Sequence, residues 1–237
     1  MSSSVVIPEL NGTLHDLVIA DIKKLIPTTS DGEIFKKKII EQYAREINPE
    51  AFAQFDALGE NKVEEYEQMK ISVREAQSQI TREAVQYASE LVKSNDISWD
   101  EAKERLPQHL SIQRQENLFE EMYPGKKEEY EKYRQIKEKL EYARVDGYKR
   151  FDGHLGALSD AFGAVHLVDG GLGIGHRKGY YEGLKSSAAG SEFFAEAFSA
   201  HTVNKQAYEE IKKYMPNAIK AFEYLLSKRK EEYASNK

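Results

Sequence analysis

Apolar side chains recur at alternating intervals of three and four residues along the stretch from residue 61 to residue 94. This interval returns to the same side of an α-helix at every turn, and it differs from the two-residue alternation of a half-buried strand. We predict one long amphipathic helix that packs on helices of its own chain, with self-association as the alternative. The stripe comprises Tyr66, Met69, Val73, Ala76, Ile80, Ala84, Tyr87 and Leu91.

Capping residues and prolines divide much of the remaining chain into further helices. Thr13 precedes a helix over residues 14–26, and Ser98 with Glu101 forms a capping box at the start of another. Pro216 begins the last helix, which we expect to fray after Lys228. The pattern predicts a mainly α fold, a multi-helix bundle.

Glycine is concentrated in one part of the chain. Eleven of the 15 glycines lie between Gly147 and Gly190. Helix interiors tolerate glycine poorly, so residues 147–190 are predicted to be a Gly-rich loop region around one short helix at 155–165, with room for a small β-hairpin. We expect a helical region over residues 1–110 and a second domain over 111–237 that contains this loop.

Composition excludes several kinds of chemistry. The chain has no cysteine, which removes disulfides, thiolate metal ligands and thiol nucleophiles. Its net charge of −6 comes from mixed Lys and Glu, which disfavours nucleic acid as a partner. No signal peptide or apolar run of membrane-spanning length is visible. We therefore expect cytoplasmic synthesis and no membrane partner.

Two glutamates stand one helical turn apart in the string Ser191-Glu192-Phe193-Phe194-Ala195-Glu196-Ala197-Phe198. At this interval Glu192 and Glu196 share one face of a helix. Like charges so placed repel each other unless a cation compensates them. The two carboxylates are thus either ordinary surface charges or candidate metal ligands.

This string, with Ala200-His201-Thr202 and the downstream Met215-Pro216-Asn217-Ala218, resembles the end of the catalytic domain of the anthrax lethal factor family of zinc peptidases. The stretch 155–162, followed by Gly175-His176 and Tyr180-Tyr181, is similar to a subgroup of these domains at the carboxyl ends of minor head proteins of tailed bacteriophages. The resemblance covers about residues 153–226.

The resemblance implies roles for individual residues. Glu192 matches the position of the third zinc ligand, and Glu196 would be a neighbour of that ligand that does not itself bind the metal. Tyr180 or Tyr181 would match the tyrosine that assists catalysis in the family. The resemblance also implies a zincin-like scaffold for the carboxyl-terminal half.

The zinc-binding motif of these peptidases is missing. A zincin uses two histidines four residues apart, with a glutamate after the first as general base. None of the six histidines is followed by this pattern. A ligand set could come only from scattered residues such as His166, His176 and Glu192.

Because this motif is missing, two hypotheses for the function remain. We predict a non-catalytic structural or interaction protein, a phage minor head or virion-internal protein with a degenerate zincin-like half and no cofactor. Its partners would be phage head or portal components, or a second copy through helix 61–94. The alternative is a zinc metallopeptidase or toxin-like effector with an unusual ligand set that includes Glu192.

Overall fold

A computed structural model describes residues 12–28, 30–95, 97–166 and 188–235, without the side chains of Ile112, Gln113, Ala157 and His166. Within these ranges the chain forms eleven α-helices, two short 3-10 helices and no β-strand, which confirms the mainly α prediction. The 3-10 helices are Gln108–Leu110 and Gly156–Leu158. The α-helices are α1 (Leu14–Leu25), α2 (Asp31–Ile47), α3 (Pro49–Leu58), α4 (Glu60–Asn95), α5 (Trp99–Glu104), α6 (Ile112–Met122), α7 (Lys127–His154), α8 (Ser159–His166), α9 (Ala188–Val203), α10 (Lys205–Tyr214) and α11 (Pro216–Ser235).

Side-chain caps start several of these helices where the sequence predicts them. Thr13 and Asp16 form a capping box on α1, and Ser98 and Glu101 form one on α5. Each box satisfies backbone N–H groups that have no partner inside the helix. Gly59 ends α3 with a φ of 77°, a conformation that glycine adopts without steric cost.

The described residues form two compact units. The first unit combines the residues up to Ile47 with those from Tyr142 onward, and the second unit is Asn48–Glu141. The boundary predicted between residues 110 and 111 therefore falls inside the second unit. The first unit thus combines an early and a late part of the chain. Helical periodicity does not predict which parts of a chain come together.

The apolar stripe of α4 packs inside the second unit. Val73, Ile80 and Ala84 lie in one cluster with Leu110 and Leu118. Nearer its beginning, α4 places Tyr66 and Met69 in a cluster with Tyr133, whose ring stacks 4.9 Å from that of Tyr66. These contacts confirm packing within the chain for this part of the stripe.

The stripe shifts by one residue near the end of α4. Tyr87 is 37 % exposed, whereas Ala88 is 3 % exposed and takes the inward position. An α-helix has 3.6 residues per turn, so a pattern with a mean interval of 3.5 drifts around the helix. The inward positions therefore continue from Ala84 in a step of four rather than three.

Helix α7 continues through the first part of the predicted glycine-rich loop. Gly147 and Gly153 both lie inside it, so the prediction that the loop begins at residue 147 is wrong for residues 147–154. The reason at Gly147 is close packing against α2. A Cβ atom there would lie 2.7 Å from the Ile40 carbonyl oxygen and 3.1 Å from the Ala44 nitrogen. Residues 167–187 of the predicted loop, with the optional hairpin, lie outside the described residues.

The last helix is longer than predicted, since α11 ends at Ser235 and does not fray after Lys228. Lys228 pairs with Glu231 at 2.9 Å and Arg229 with Glu232 at 3.2 Å, both one turn apart. Such pairs support an exposed helix. In the part of the chain that the structure describes, no helix is both long and apolar enough to cross a membrane.

We predict that Gly147→Ala lowers the free energy of unfolding by about 1–3 kcal/mol, because the new methyl group has no space between α7 and α2. Gly153→Ala is the matched control, since nothing lies within 4 Å of a Cβ atom there. The control should be neutral or up to about 1 kcal/mol more stable, as alanine favours helix. Urea denaturation followed by far-UV circular dichroism measures both, and equal effects would contradict the packing argument.

Candidate functional site

Helix α9, which carries the Glu192 to Phe198 string, is a core helix of the first unit. Phe193 and Ala197 are fully buried, and Ala200 is nearly so. At its start, Gly190 touches α1: a Cβ atom there would lie 3.0 Å from the Cα atom of His15. The apolar residues of the string thus build the packing between α9 and its neighbours α1 and α8.

The aromatic residues of the string differ in their burial. Phe193 is fully buried, and the Phe194 ring lies 5.2 Å from the ring of Phe222 on α11. Phe198 is 47 % exposed, so it does not pack in the core with Phe193. Phe194 and Phe198 are one turn apart, and their rings stack at 6.4 Å on the outer side of α9.

The charges of two other carboxylates act on Glu196 of α9. Burial, together with the neighbouring Asp160 and Glu192 carboxylates, raises the pKa of Glu196. Asp160 lies on α8, so the packing of α8 on α9 brings it there. The sequence analysis does not predict Asp160 as part of this group.

The structure reaches only some of the other candidate residues. His166 is the last residue of α8, and its side chain is not described. His176, Tyr180 and Tyr181 lie outside the described residues. Among the residues that are described, no three histidine, aspartate or glutamate side chains are grouped so that they could hold a metal ion.

The Met215-Pro216-Asn217-Ala218 string has a structural role that the sequence analysis missed. Asp21 of α1 is 3 % exposed, and its carboxylate accepts hydrogen bonds from the backbone N–H groups of Asn217 at 2.9 Å and Ala218 at 3.0 Å. The Asn217 side chain donates a third bond at 2.8 Å. A remote carboxylate thus caps α11 and complements the positive end of its dipole.

One sequence signal indicates that the start of α11 needs a capping partner from another part of the chain. Proline is favoured at the first position of a helix, yet the residue before Pro216 is Met215, which offers no capping oxygen. The free N–H groups of α11 therefore needed an acceptor from elsewhere in the chain. Nothing in the local sequence identifies that acceptor as Asp21.

A second polar group of the first unit centres on Arg150 of α7. Its guanidinium donates to Glu46 of α2 at 2.8 Å and to Glu210 of α10 at 3.1 Å. The same group lies 4.1 Å from the ring centre of Tyr43, a cation–π contact. No local pattern in the sequence predicts this network, because its members lie on three different helices.

Compared with protein-family models, with curated proteins and with solved structures, the chain matches none of them. The resemblance to the lethal factor family therefore rests on the quoted residues alone.

We predict that Asp21→Ala lowers the free energy of unfolding by about 2–4 kcal/mol, because it leaves buried backbone donors without their charged acceptor. Asp21→Asn keeps one acceptor oxygen and should cost about half as much. The control Asp16→Ala removes an exposed capping-box residue of the same helix and should cost about 1 kcal/mol. Urea denaturation compares the three variants, and equal losses for Asp21→Ala and Asp16→Ala would contradict a special role for Asp21.

We predict that Glu196→Gln raises the free energy of unfolding at neutral pH by about 0.3–0.5 kcal/mol, since it removes like-charge repulsion. A raised carboxyl pKa in the folded protein means that stability is lost as pH rises from the unfolded value through the folded one. The gain should therefore disappear below the ordinary pKa of 4.5, where the wild-type side chain is neutral in both states. Denaturation at several pH values tests this, with Glu64→Gln at an exposed position as the control. An equal gain in both variants at neutral pH would contradict the argument.

Proposed function

We propose that this chain is a non-catalytic structural or interaction protein of phage origin, a minor head or virion-internal protein. Its carboxyl-terminal half would keep a peptidase-like scaffold without a complete zinc site. The observation that carries the proposal is the packing role of the α9 string. Phe193 and Ala197 are fully buried, and the paired histidines of a zincin are missing from the sequence.

A hydrolytic zinc site needs three protein ligands, an open position for water and a general base. The sequence lacks the paired histidines that supply two ligands and the adjacent glutamate that acts as base. These points favour a scaffold over a reaction centre.

The phage context rests on the resemblance over residues 153–226 to domains of tailed-phage minor head proteins. A protein of that kind acts through contacts with other proteins. The proposed partners are therefore head or portal components, or a further copy of the chain. The first unit would supply the peptidase-like scaffold, since both strings that carry the resemblance lie in it.

Metal analysis of the purified full-length protein tests the loss of catalysis. We expect less than stoichiometric zinc after equilibration with zinc and removal of the unbound metal, and no cleavage in a peptide-library screen. Stoichiometric zinc that is lost in Glu192→Ala and in His176→Ala, but kept in the surface control Glu64→Ala, would overturn the proposal. That result would support the zinc metallopeptidase alternative.

The position of the gene tests the phage context separately. We expect genes for a portal protein and a scaffold protein beside it, and the protein itself in purified particles by mass spectrometry. A gene beside secretion or immunity genes, with no protein in particles, would contradict the virion hypothesis and favour an effector.

A further inference from the structure

A groove of about 740 Å³ lies on the second unit, where α4 packs on α6. One side is the stretch 74–82 of α4, and the other is Gln115 with Glu116 of α6. All seven described side chains that line the groove are polar or charged. The groove therefore suits a polar partner and not an apolar one.

Hydrogen bonds connect the two sides of this groove. The Gln77 side chain donates to the Gln115 carbonyl oxygen at 3.2 Å. The Thr81 hydroxyl lies 3.3 Å from the Gln115 side-chain oxygen and 2.8 Å from the Gln77 carbonyl oxygen. The Gln115 oxygen atoms thus face α4, and its amide nitrogen remains as a donor for a partner.

Two arginines line the groove without an ion pair to any described residue, namely Arg74 and Arg82. The Arg82 Nε atom donates to the Ser78 carbonyl oxygen at 3.3 Å, so its two terminal nitrogens remain available. By contrast, Arg114 of the same unit pairs with Glu121 at 3.2 Å. The groove thus presents guanidinium groups whose charge the fold does not use.

The sequence of α4 explains why these arginines have no partner on their own helix. Side chains on a helix pair at intervals of three or four residues. No position at these intervals from Arg74 or Arg82 is Asp or Glu, although α4 contains seven glutamates. Across the groove, Glu116 forms an ion pair with neither arginine in the described part of the chain. Two positive charges and one negative charge give the lining a net charge of +1, in a chain whose net charge is −6.

The spacing of the two arginines selects the shape of the partner. They are eight residues apart, which is about 12 Å along the helix axis. Two carboxylates match cations at this separation better than one small anion does. On a second helix, residues seven apart share one side and lie about 10.5 Å apart, a difference that the long arginine side chains cover. The planar guanidinium binds carboxylates with two parallel hydrogen bonds.

We propose that the groove between α4 and α6 binds an acidic helix of a partner protein. Arg74 and Arg82 each bind one of two carboxylates that stand seven residues apart on that helix, and the Gln115 amide nitrogen donates a further hydrogen bond. The proposal rests on the proposed function in one respect only, that the chain acts through contacts with another protein. Its test involves neither metal nor phage particles, so either proposal can fail while the other stands.

Titration of the ¹⁵N-labelled full-length protein with three capped, helical Ala/Gln peptides tests the groove by NMR at low ionic strength. The first peptide carries two Glu residues seven apart, the second carries Gln at both positions, and the third carries two Glu residues three apart. We expect saturable shifts in residues 74–82 and 115–116 with the first peptide, about fivefold weaker binding of the third, and none of the second. Equal affinity for the two acidic peptides, or no shift with either, would overturn the proposal.

Two further titrations examine other occupants of the groove. A single-stranded oligothymidylate that shifts the same residues at lower concentration than the first peptide would assign the groove to nucleic acid. Shifts of these residues on dilution of the protein alone would assign it to a second copy of the chain. Either result would overturn the proposal, and we expect neither.

Single charge variants locate the binding. Arg74→Gln and Arg82→Gln should each weaken binding of the first peptide by about three- to tenfold. Arg105→Gln removes the same charge from an exposed position of the same unit outside the groove, and should change the affinity by less than about twofold. Glu116→Gln should tighten binding by about twofold, because it removes a charge that repels the peptide. Equal losses for Arg105→Gln and the two groove variants would contradict the proposal. Both groove arginines are exposed, so circular dichroism should show unchanged folding.

Discussion

A buried carboxylate joins the beginning of the first unit to its end. Asp21 on α1 accepts three hydrogen bonds from the first turn of α11, across 196 positions of sequence. Burying a carboxylate is costly unless hydrogen bonds compensate it, and here they do so with backbone groups that would otherwise have no partner. These bonds hold the start of α11 against α1. Helices α8 and α9 also pack against α1, so α1 contacts three of the other helices of the first unit.

The role of the Glu192 to Phe198 string follows from the packing of α9 on α1 and α8. Phe193, Phe194 and Ala197 pack against neighbouring helices, and Gly190 allows the α1 backbone to approach. The charge of Asp160 acts on Glu196, because α8 packs on α9. A string that resembles part of a zinc peptidase therefore contributes mostly to packing in the described part of this chain. Keeping a scaffold requires apolar side chains that pack, whereas keeping a zinc-dependent reaction requires metal ligands and a general base.

Local signals predicted the helices well and their contacts less well. The caps at Thr13 and Ser98 lie where expected, because a cap depends on residues within one turn. The prediction of a loop at Gly147 was wrong. The frequency of glycine in loops carries no information about the α2 backbone that lies against this residue. Tyr87 was misplaced because the interval of the stripe drifts over many turns. Glu192 and Glu196 were predicted to share a face, and the structure adds Asp160, which is 32 positions before Glu192 in sequence.

The sequence by itself determined the mainly α fold, most helix starts, the long amphipathic α4 and the absence of a zincin histidine motif. Each of these depends on residues within a few turns of one another. Tertiary structure alone decided the pairing of an early and a late part of the chain in one unit, the Asp21 cap on α11 and the Arg150 network. These features join residues that lie far apart along the chain. The local sequence does not show which residues pair, because many other acceptors and cations in the chain could have formed the same kind of contact.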